Sequence, residues 1–375
     1  MSKIEDLIKE YCPDGVEYKK LDAVTTYERP DKYSVKSTAY DDAYETPVLT
    51  AGKTFILGYT NETDGIYQAS KQSPVIIFDD FLAVCKWVDF PFKVKSSAMK
   101  FIHAATGINV RYLFYAMECI DYVPVDHARQ WIATYSQFEI PVPPLPVQQE
   151  IVRILDSFTA LQDELQKELE ERKKQFEHVR DQLMNNGSDV ILSDVAEYSK
   201  GRVSASEMTT ENYVGVDNLL QNKAGKVSAT FVPAKGNVIR FERNDILIGN
   251  IRPYLKKIWL ADTNGGTNGD VLCIHVLDSS SVNPRYLYFV LSSDAFFAYD
   301  TVNVRSSGKM PRGDKESVMK YSFTLPSLQE QNDIVRKLES MSEYIYDAIP
   351  EELSLRQQQY TYYRDKLLSF PRKEA

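Results

Sequence analysis

The sequence predicts an α+β chain written twice: two mixed globular regions, each followed by a long helix. Three observations carry this. First, Pro143-Pro144-Leu145-Pro146-Val147-Gln148-Gln149-Glu150-Ile151-Val152-Arg153 returns 183 residues later as Pro326-Ser327-Leu328-Gln329-Glu330-Gln331-Asn332-Asp333-Ile334-Val335-Arg336. Second, behind each copy apolar residues step by three or four for about 38 residues, a helical seam about 55 Å long. Third, short apolar runs such as Pro74-Val75-Ile76-Ile77-Phe78, Ile246-Leu247-Ile248 and Val271-Leu272-Cys273-Ile274-His275-Val276 sit between Gly, Asn and Asp turns, as strands do. Shorter matches keep the same order: Leu21-Asp22-Ala23-Val24 with Leu192-Ser193-Asp194-Val195, Asn109-Val110-Arg111-Tyr112 with Asn283-Pro284-Arg285-Tyr286, and Arg180-Asp181-Gln182-Leu183 with Arg364-Asp365-Lys366-Leu367. Their offsets are 171, 174 and 184, so loops have gained residues since an ancient duplication.

Taken in order, residues 1–19 begin with a short amphipathic helix around Ile4, Leu7 and Ile8, closed by the Pro13-Asp14-Gly15 turn. Residues 20–143 form the first globular region, with one clear helix starting near Asn109. In 144–189 the seam runs through Val147, Ile151, Leu155, Phe158, Leu161, Leu165, Leu169, Phe176, Val179 and Leu183, and Asn185-Asn186-Gly187 ends it. Residues 190–326 repeat the globular region, with their helix near Asn283. In 327–375, Ser327-Leu328-Gln329-Glu330 is a capping box, and the seam is Ile334, Leu338, Met341, Ile345, Ile349, Leu353, Tyr360, Tyr363 and Leu367. Pro350 lies inside this helix and is expected to kink or split it. Arg172 and Arg356 each take a skipped seam position; they are either a symmetric buried pair or both solvated.

The chain has 375 residues, 43% of them hydrophobic, which excludes a disordered chain and suggests two or three domains. No apolar run reaches the roughly 20 residues of a membrane span, and no signal peptide is visible, so a cytoplasmic protein is expected. Four cysteines, Cys12, Cys85, Cys119 and Cys273, are far apart and read as reduced.

Catalytic motifs almost match and fail. Ala51-Gly52-Lys53-Thr54 resembles the end of a phosphate-binding loop, but Pro47 stands where that loop needs glycine. Pro13-Asp14 with Glu17-Tyr18-Lys19 imitates a nuclease metal site across too short a turn. Asn283-Pro284-Arg285-Tyr286 resembles an amino-methyltransferase motif, yet a helix N-cap followed by proline explains it. The four histidines, His103, His127, His178 and His275, show no metal-ligand spacing.

The net charge of −9 argues at first against nucleic acid. By segment, 1–19, 144–189 and 327–375 carry −8 together and the two globular regions −1. Inside those regions bases gather at 86–111, 235–257 and 305–320, interleaved with aromatics, hydroxyls and turn formers. Such loops suit phosphate contact and base reading, and equally suit ordinary solvated surface.

The layout resembles the specificity subunit of type I restriction–modification systems. The residues that carry it are Cys12-Pro13-Asp14-Gly15-Val16-Glu17, His127-Ala128-Arg129-Gln130-Trp131-Ile132, Ile140-Pro141-Val142-Pro143-Pro144-Leu145-Pro146 with Gln148-Gln149-Glu150-Ile151-Val152, Asp245-Ile246-Leu247-Ile248 with Ile251-Arg252-Pro253, and Leu325-Pro326-Ser327-Leu328 with Gln331. The resemblance implies two tandem target recognition domains, 20–143 and 190–326, separated by two long antiparallel coiled-coil helices with an internal pseudo-two-fold. Each domain would read half of a bipartite double-stranded DNA target, with half-sites about 34–36 Å apart falling on one face of the duplex. It also implies partners: two methyltransferase (modification) subunits and the restriction/translocase subunits, with no membrane. The chain itself would be no enzyme and hold no cofactor, S-adenosylmethionine, Mg and ATP belonging to the partners. The alternative is a non-catalytic coiled-coil scaffold with tandem protein-binding domains.

Candidate DNA-binding residues are Lys53, Lys86, Lys93, Lys95, Arg129, Trp131, Asn250, Arg252, Tyr254, Lys256, Arg305, Lys309 and Arg312. Candidate helix-pair and partner-interface residues are Ile151, Leu155, Phe158, Leu165, Leu169, Phe176, Ile334, Leu338, Met341, Ile345, Leu353, Tyr360 and Leu367. Arg129-Gln130-Trp131 has no clear counterpart in the second half, where Gly308-Lys309-Met310-Pro311-Arg312 takes the approximate place. The two domains are therefore expected to read different sequences.

Overall fold

The computed structural model describes residues 2–52, 54–126, 128–305 and 310–374. The chain divides into two compact units, Met1–Leu165 with Glu352–Ala375, and Gln166–Glu351. This division cuts the chain differently from the sequence segments: each unit takes one globular region and half of each long helix.

In the first unit a neck of two antiparallel strands opens and closes the globular domain, Glu17–Lys20 against Glu139–Val142. Above it lies an antiparallel sheet in the order Thr25–Glu28, Met99–Ala104, Val75–Asp79, Val84–Val88. Strand Val75–Asp79 is buried on both faces, which its unbroken apolar run requires. Ile76 and Phe78 face a core shared with Leu113 and Tyr115 of helix Val110–Glu118, while Val75 and Ile77 face Leu49, Phe92 and Phe101. A second, three-stranded sheet (Ile56–Thr60, Thr46–Leu49, Lys93–Val94) contains one parallel pairing.

The second unit repeats this scheme. Its neck is Ser188–Ile191 against Ser322–Leu325, and its main sheet is Ala196–Tyr198, Val271–Val276, Ile246–Gly249, Ile258–Leu260. Its second sheet (Arg202–Ser204, Asn237–Phe241, Gly265–Thr267, Tyr213–Val214) again contains one parallel pair. Gly265 is required there, because a Cβ would stand 2.0 Å from the Asn212 carbonyl oxygen. Besides the added edge strand Arg202–Ser204, two features have no equivalent in the first domain. Helix Asp294–Val302 is added after Pro284–Leu291, and the four-residue turn 80–83 becomes the eight-residue loop 250–257.

The repeated proline–glutamine junction has a physical reason. Gln148 is buried, and its side-chain oxygen accepts the Asn109 N–H (2.8 Å) while its amide donates to the carbonyls of Pro143 (2.8 Å) and Gly107 (3.3 Å). Gln331 accepts the Asn283 N–H (2.8 Å) and donates to Pro326 (2.9 Å) and Ser281 (3.0 Å). One glutamine thus ties the first turn of each long helix to the N-cap of the domain helix and to the exit of the neck. Asn109 and Asn283 cap those helices through their side chains, as the sequence suggested. Gln331→Leu removes the partner of three backbone groups, of which the buried Pro326 carbonyl loses the most, about 1–3 kcal/mol. The thermal midpoint of the second unit is expected to fall by several degrees; an unchanged midpoint would show that water replaces the staple.

The first long helix is continuous over Leu145–Leu183, 39 residues. The second runs as Leu328–Glu343, a π turn Tyr344–Ala348, and Ile349–Leu367. Pro350 neither breaks nor splits it. The repeat offset grows from 183 at Ile151/Ile334 to 184 at Arg180/Arg364, one added residue, and a π turn is the form one added residue takes in a helix. Pro350 lacks the N–H that a regular turn would direct back along the chain, so the wide turn sits just before it. Arg172 and Arg356 are half exposed rather than buried. Each reaches the glutamate four residues before it and the glutamine three after: Glu168 and Gln175, Glu352 and Gln359.

Within the first unit the helices are antiparallel, Phe158 stacking on Tyr363 (5.3 Å) and Gln162 donating to Gln357 (3.0 Å). The seam mostly serves each unit's own interior. Ile151, Leu155, Leu169, Phe176, Ile334, Leu338, Ile345 and Tyr360 are buried; of these Ile151, Leu155 and Tyr360 belong to the first domain's core and Phe176 lies 6.3 Å from Phe289 of the second. Phe158, Leu165, Met341, Leu353 and Leu367 are half buried.

Candidate nucleic-acid interface

In the second domain, backbone hydrogen bonds gather three arginines from separate segments. Ile251 and Arg312 form an isolated bridge, the Arg252 N–H donates to Pro311 O (2.8 Å), and the Arg305 N–H donates to Arg312 O (3.0 Å). Arg252, Arg305 and Arg312 are exposed, and Tyr254 stands beside them at 52% exposure. Arg252 and Lys256 both adopt positive φ (54° and 51°), a costly conformation for side chains of this kind, held because Pro253–Leu255 forms a tight 3-10 turn between them. Arg305 pairs with Asp314 and Arg312 with Asp270 (2.9 Å), so two of the three carry a displaceable counter-charge.

Several sequence candidates take other places. Lys256 reaches Asp294 (2.8 Å), which Lys223 also holds (3.1 Å), and Lys223 in turn reaches Glu177 on the first long helix (2.8 Å). That chain braces the domain against its helix. Asn250 is buried, its backbone bonded to Asp270 and Gly313 and its side-chain oxygen without a partner among the described residues. Asn250 therefore anchors the loop and does not reach out from it.

In the first domain Lys86, Lys95 and Arg129 are exposed. Lys93 is buried, its ammonium on Glu62 (2.9 Å) and on the Asp64 carbonyl (2.6 Å), so it fastens a loop. Trp131 is also buried, packed edge-on to Phe78 (5.0 Å) and stacked near Tyr135 (6.0 Å); its indole fills the core and offers no face to a base. The basic run 86–111 is thus largely internal: Lys100 lies buried beside Asp80 and Arg111 over the Trp87 ring (4.5 Å) on Asp156. A lysine run in sequence cannot reveal which ammonium groups turn inward. Lys53 and Lys309, with His127 and Gly308 of the motifs, lie outside the described residues.

The Type I restriction modification DNA specificity domain matches this chain twice, at residues 13–172 and 187–355. A type I restriction enzyme EcoR124I/EcoR124II specificity subunit from Escherichia coli is 36% identical over 418 residues, covering 100% of this chain and 98% of its own. The chain belongs to the type I restriction–modification specificity family. A putative type I specificity subunit from Haemophilus influenzae is 25% identical, covering 95% of this chain and 96% of its own. Among solved structures, a type I restriction-modification S subunit from M. genitalium aligns over 94% of this chain and 96% of that one with a TM-score of 0.56 at 12% identity. A chain from a structure of type I R-M complex assembly and conformational transition aligns over 95% and 98%, with TM-score 0.56 at 15% identity. Both support the fold: two tandem α+β domains with long helices.

Among the described residues no group of three His, Cys, Asp or Glu could hold a metal ion, and no helix is long and apolar enough to cross a membrane. Burial raises the thiols of Cys85 and Cys119 to about 12 and raises those of Cys12 and Cys273 too, leaving no reactive thiolate near neutral pH.

Proposed function

We propose that this chain gives a type I restriction–modification complex its DNA sequence specificity, each domain reading one half of a bipartite, asymmetric target, with no catalysis of its own. The observation that carries the reading is one scaffold built twice with different loops on it. The necks, main sheets and glutamine staples match, while the second sheets, the turn at 80–83 and the loop at 250–257 do not. Matched scaffolds suit two segments of one duplex, and unmatched loops suit two different half-sites. In this reading S-adenosylmethionine, Mg and ATP are bound by partner subunits, and two methyltransferase subunits with the restriction subunits assemble around the chain in the cytoplasm. A groove of about 490 Å³ in the first unit, lined by Ile4, Ile8, Ile154, Phe158 and Leu367, is a surface such a partner could take.

Methylation-sensitive sequencing of the host genome, with the chain present and deleted, tests this. One bipartite motif is expected to vanish on deletion, and identical methylomes would refute the role. Inserting one helical turn after Gln166, the first residue of the second unit, is expected to lengthen the unread spacer and leave both half-sites unchanged.

A further inference from the structure

The two domains place an arginine at one equivalent position that sequence comparison between the halves misses. In the first domain the Gln130 N–H donates to Asp80 O (2.9 Å), and the Asp80 N–H donates to Ala98 O (3.0 Å). In the second, the Gly313 N–H donates to Asn250 O (3.1 Å), and the Asn250 N–H donates to Asp270 O (2.9 Å). From there the backbone bonds repeat in step. Phe138 donates to Tyr135 as Tyr321 does to Val318, and Leu21 donates to Phe138 as Leu192 does to Tyr321. Gln130 and Gly313 are 183 residues apart, the offset of Gln148 and Gln331, so no residue has been gained or lost between. The residues just before them are Arg129 and Arg312, both exposed. Their neighbours Trp131 and Asp314 hide the pairing in the sequence.

Around these arginines the domains differ in loop length, in the added helix Asp294–Val302, and in having Ala98 on one side and Asp270 on the other. A charge kept in place while the loops around it differ fits what two different half-sites share, the phosphodiester backbone. Resting on the DNA-reading role above, we propose that Arg129 and Arg312 are matched phosphate anchors, one per domain, that set the domain's register on the duplex and do not read bases.

The test uses the complex with the methyltransferase and a duplex carrying its own motif, against a scrambled duplex. Wild type without preference between them overturns the DNA-reading role and the anchors with it. Given that preference, Arg129→Ala and Arg312→Ala are each expected to weaken binding to both duplexes by a similar factor. Each should make the slope of log affinity against log salt shallower by about 1, and the double variant by about 2. Arg312 already has Asp270 as a counter-charge, so its loss is the smaller effect on affinity. Arg129→Lys is expected to keep most of the binding, since a phosphate accepts a point charge where a bidentate base contact does not. The sequenced methylation motif stays unchanged, as does the thermal midpoint. A salt slope equal to wild type, or a motif that becomes degenerate at one base, overturns the anchor assignment alone.

Discussion

Lys100→Met is expected to lower the stability of the first domain by about 3–5 kcal/mol, because it leaves a buried carboxylate without its cation. Asp80 is fully buried; its Oδ1 accepts the Trp131 N–H (2.8 Å), and its Oδ2 lies 3.0 Å from the Lys100 ammonium. That second contact is outside hydrogen-bond geometry, so the pair is held mainly by charge. The second domain supplies the control. Asn250 occupies the place of Asp80, and the strand register that sets Phe78 opposite Lys100 sets Ile248 opposite Leu272. The double variant Asp80→Asn/Lys100→Leu therefore installs a neutral pair the scaffold already tolerates, and should recover most of the loss. Denaturant unfolding of the complex reads both; a loss below about 1 kcal/mol for Lys100→Met would refute the ion pair as a main support of the first domain.

The second domain lacks that ion pair and instead buries a different acid. Asp300, on helix Asp294–Val302, is fully buried, and among the described residues neither its carboxylate oxygens nor the side-chain oxygen of Asn250, which lies with it against the backbone of Gly313, has a hydrogen-bond partner. Burial pushes its carboxyl up to about 7. Near it stands the Tyr198 hydroxyl, raised by burial and by the charges of Asp300 and Asp314, and Asp314 is itself held low by Ser317 and Arg305. The folded chain therefore keeps a proton that the unfolded chain releases near pH 4. Stability from this group is complete below about pH 4, declines as pH rises, and is gone above about pH 7, a loss of a few kcal/mol. Asp300→Asn keeps a donor for Asn250 and carries no charge. Its stability should be flat over that range, and at pH 8 it should exceed wild type. A wild-type profile that is already flat would place a cation or water at the carboxylate instead. Because Asn250 and Gly313 hold the loops bearing Arg252 and Arg312, methylation at the second half-site should share the pH dependence and the first should not.

Much of the architecture was legible because it depends on local rules and on repetition. The junctions and the helix caps at Asn109, Asn283 and Ser327 could be read directly, since caps and helical seams act over three or four residues. Which side chains reach solvent was not legible in the same way. Lys93 and Lys95 are two residues apart in adjoining positions of one loop and strand, yet one is buried on Glu62 and the other exposed. Trp131 lies beside an exposed arginine and is itself core. The Arg129–Arg312 equivalence emerged only from hydrogen bonds to residues about 50 and 60 positions earlier.

The acidic total of −9 illustrates the same division. Sequence alone determined that the chain is duplicated, that its acid lies mostly on the helices and ends, and that its family is the type I specificity family, because repeats, charge and motifs are properties of order along the chain. Only the tertiary structure decided which bases remain available to DNA. Burial and pairing across distant segments neutralise Lys93, Lys100 and Arg111 inside the first domain, and bring Arg252, Arg305 and Arg312 together at the surface of the second.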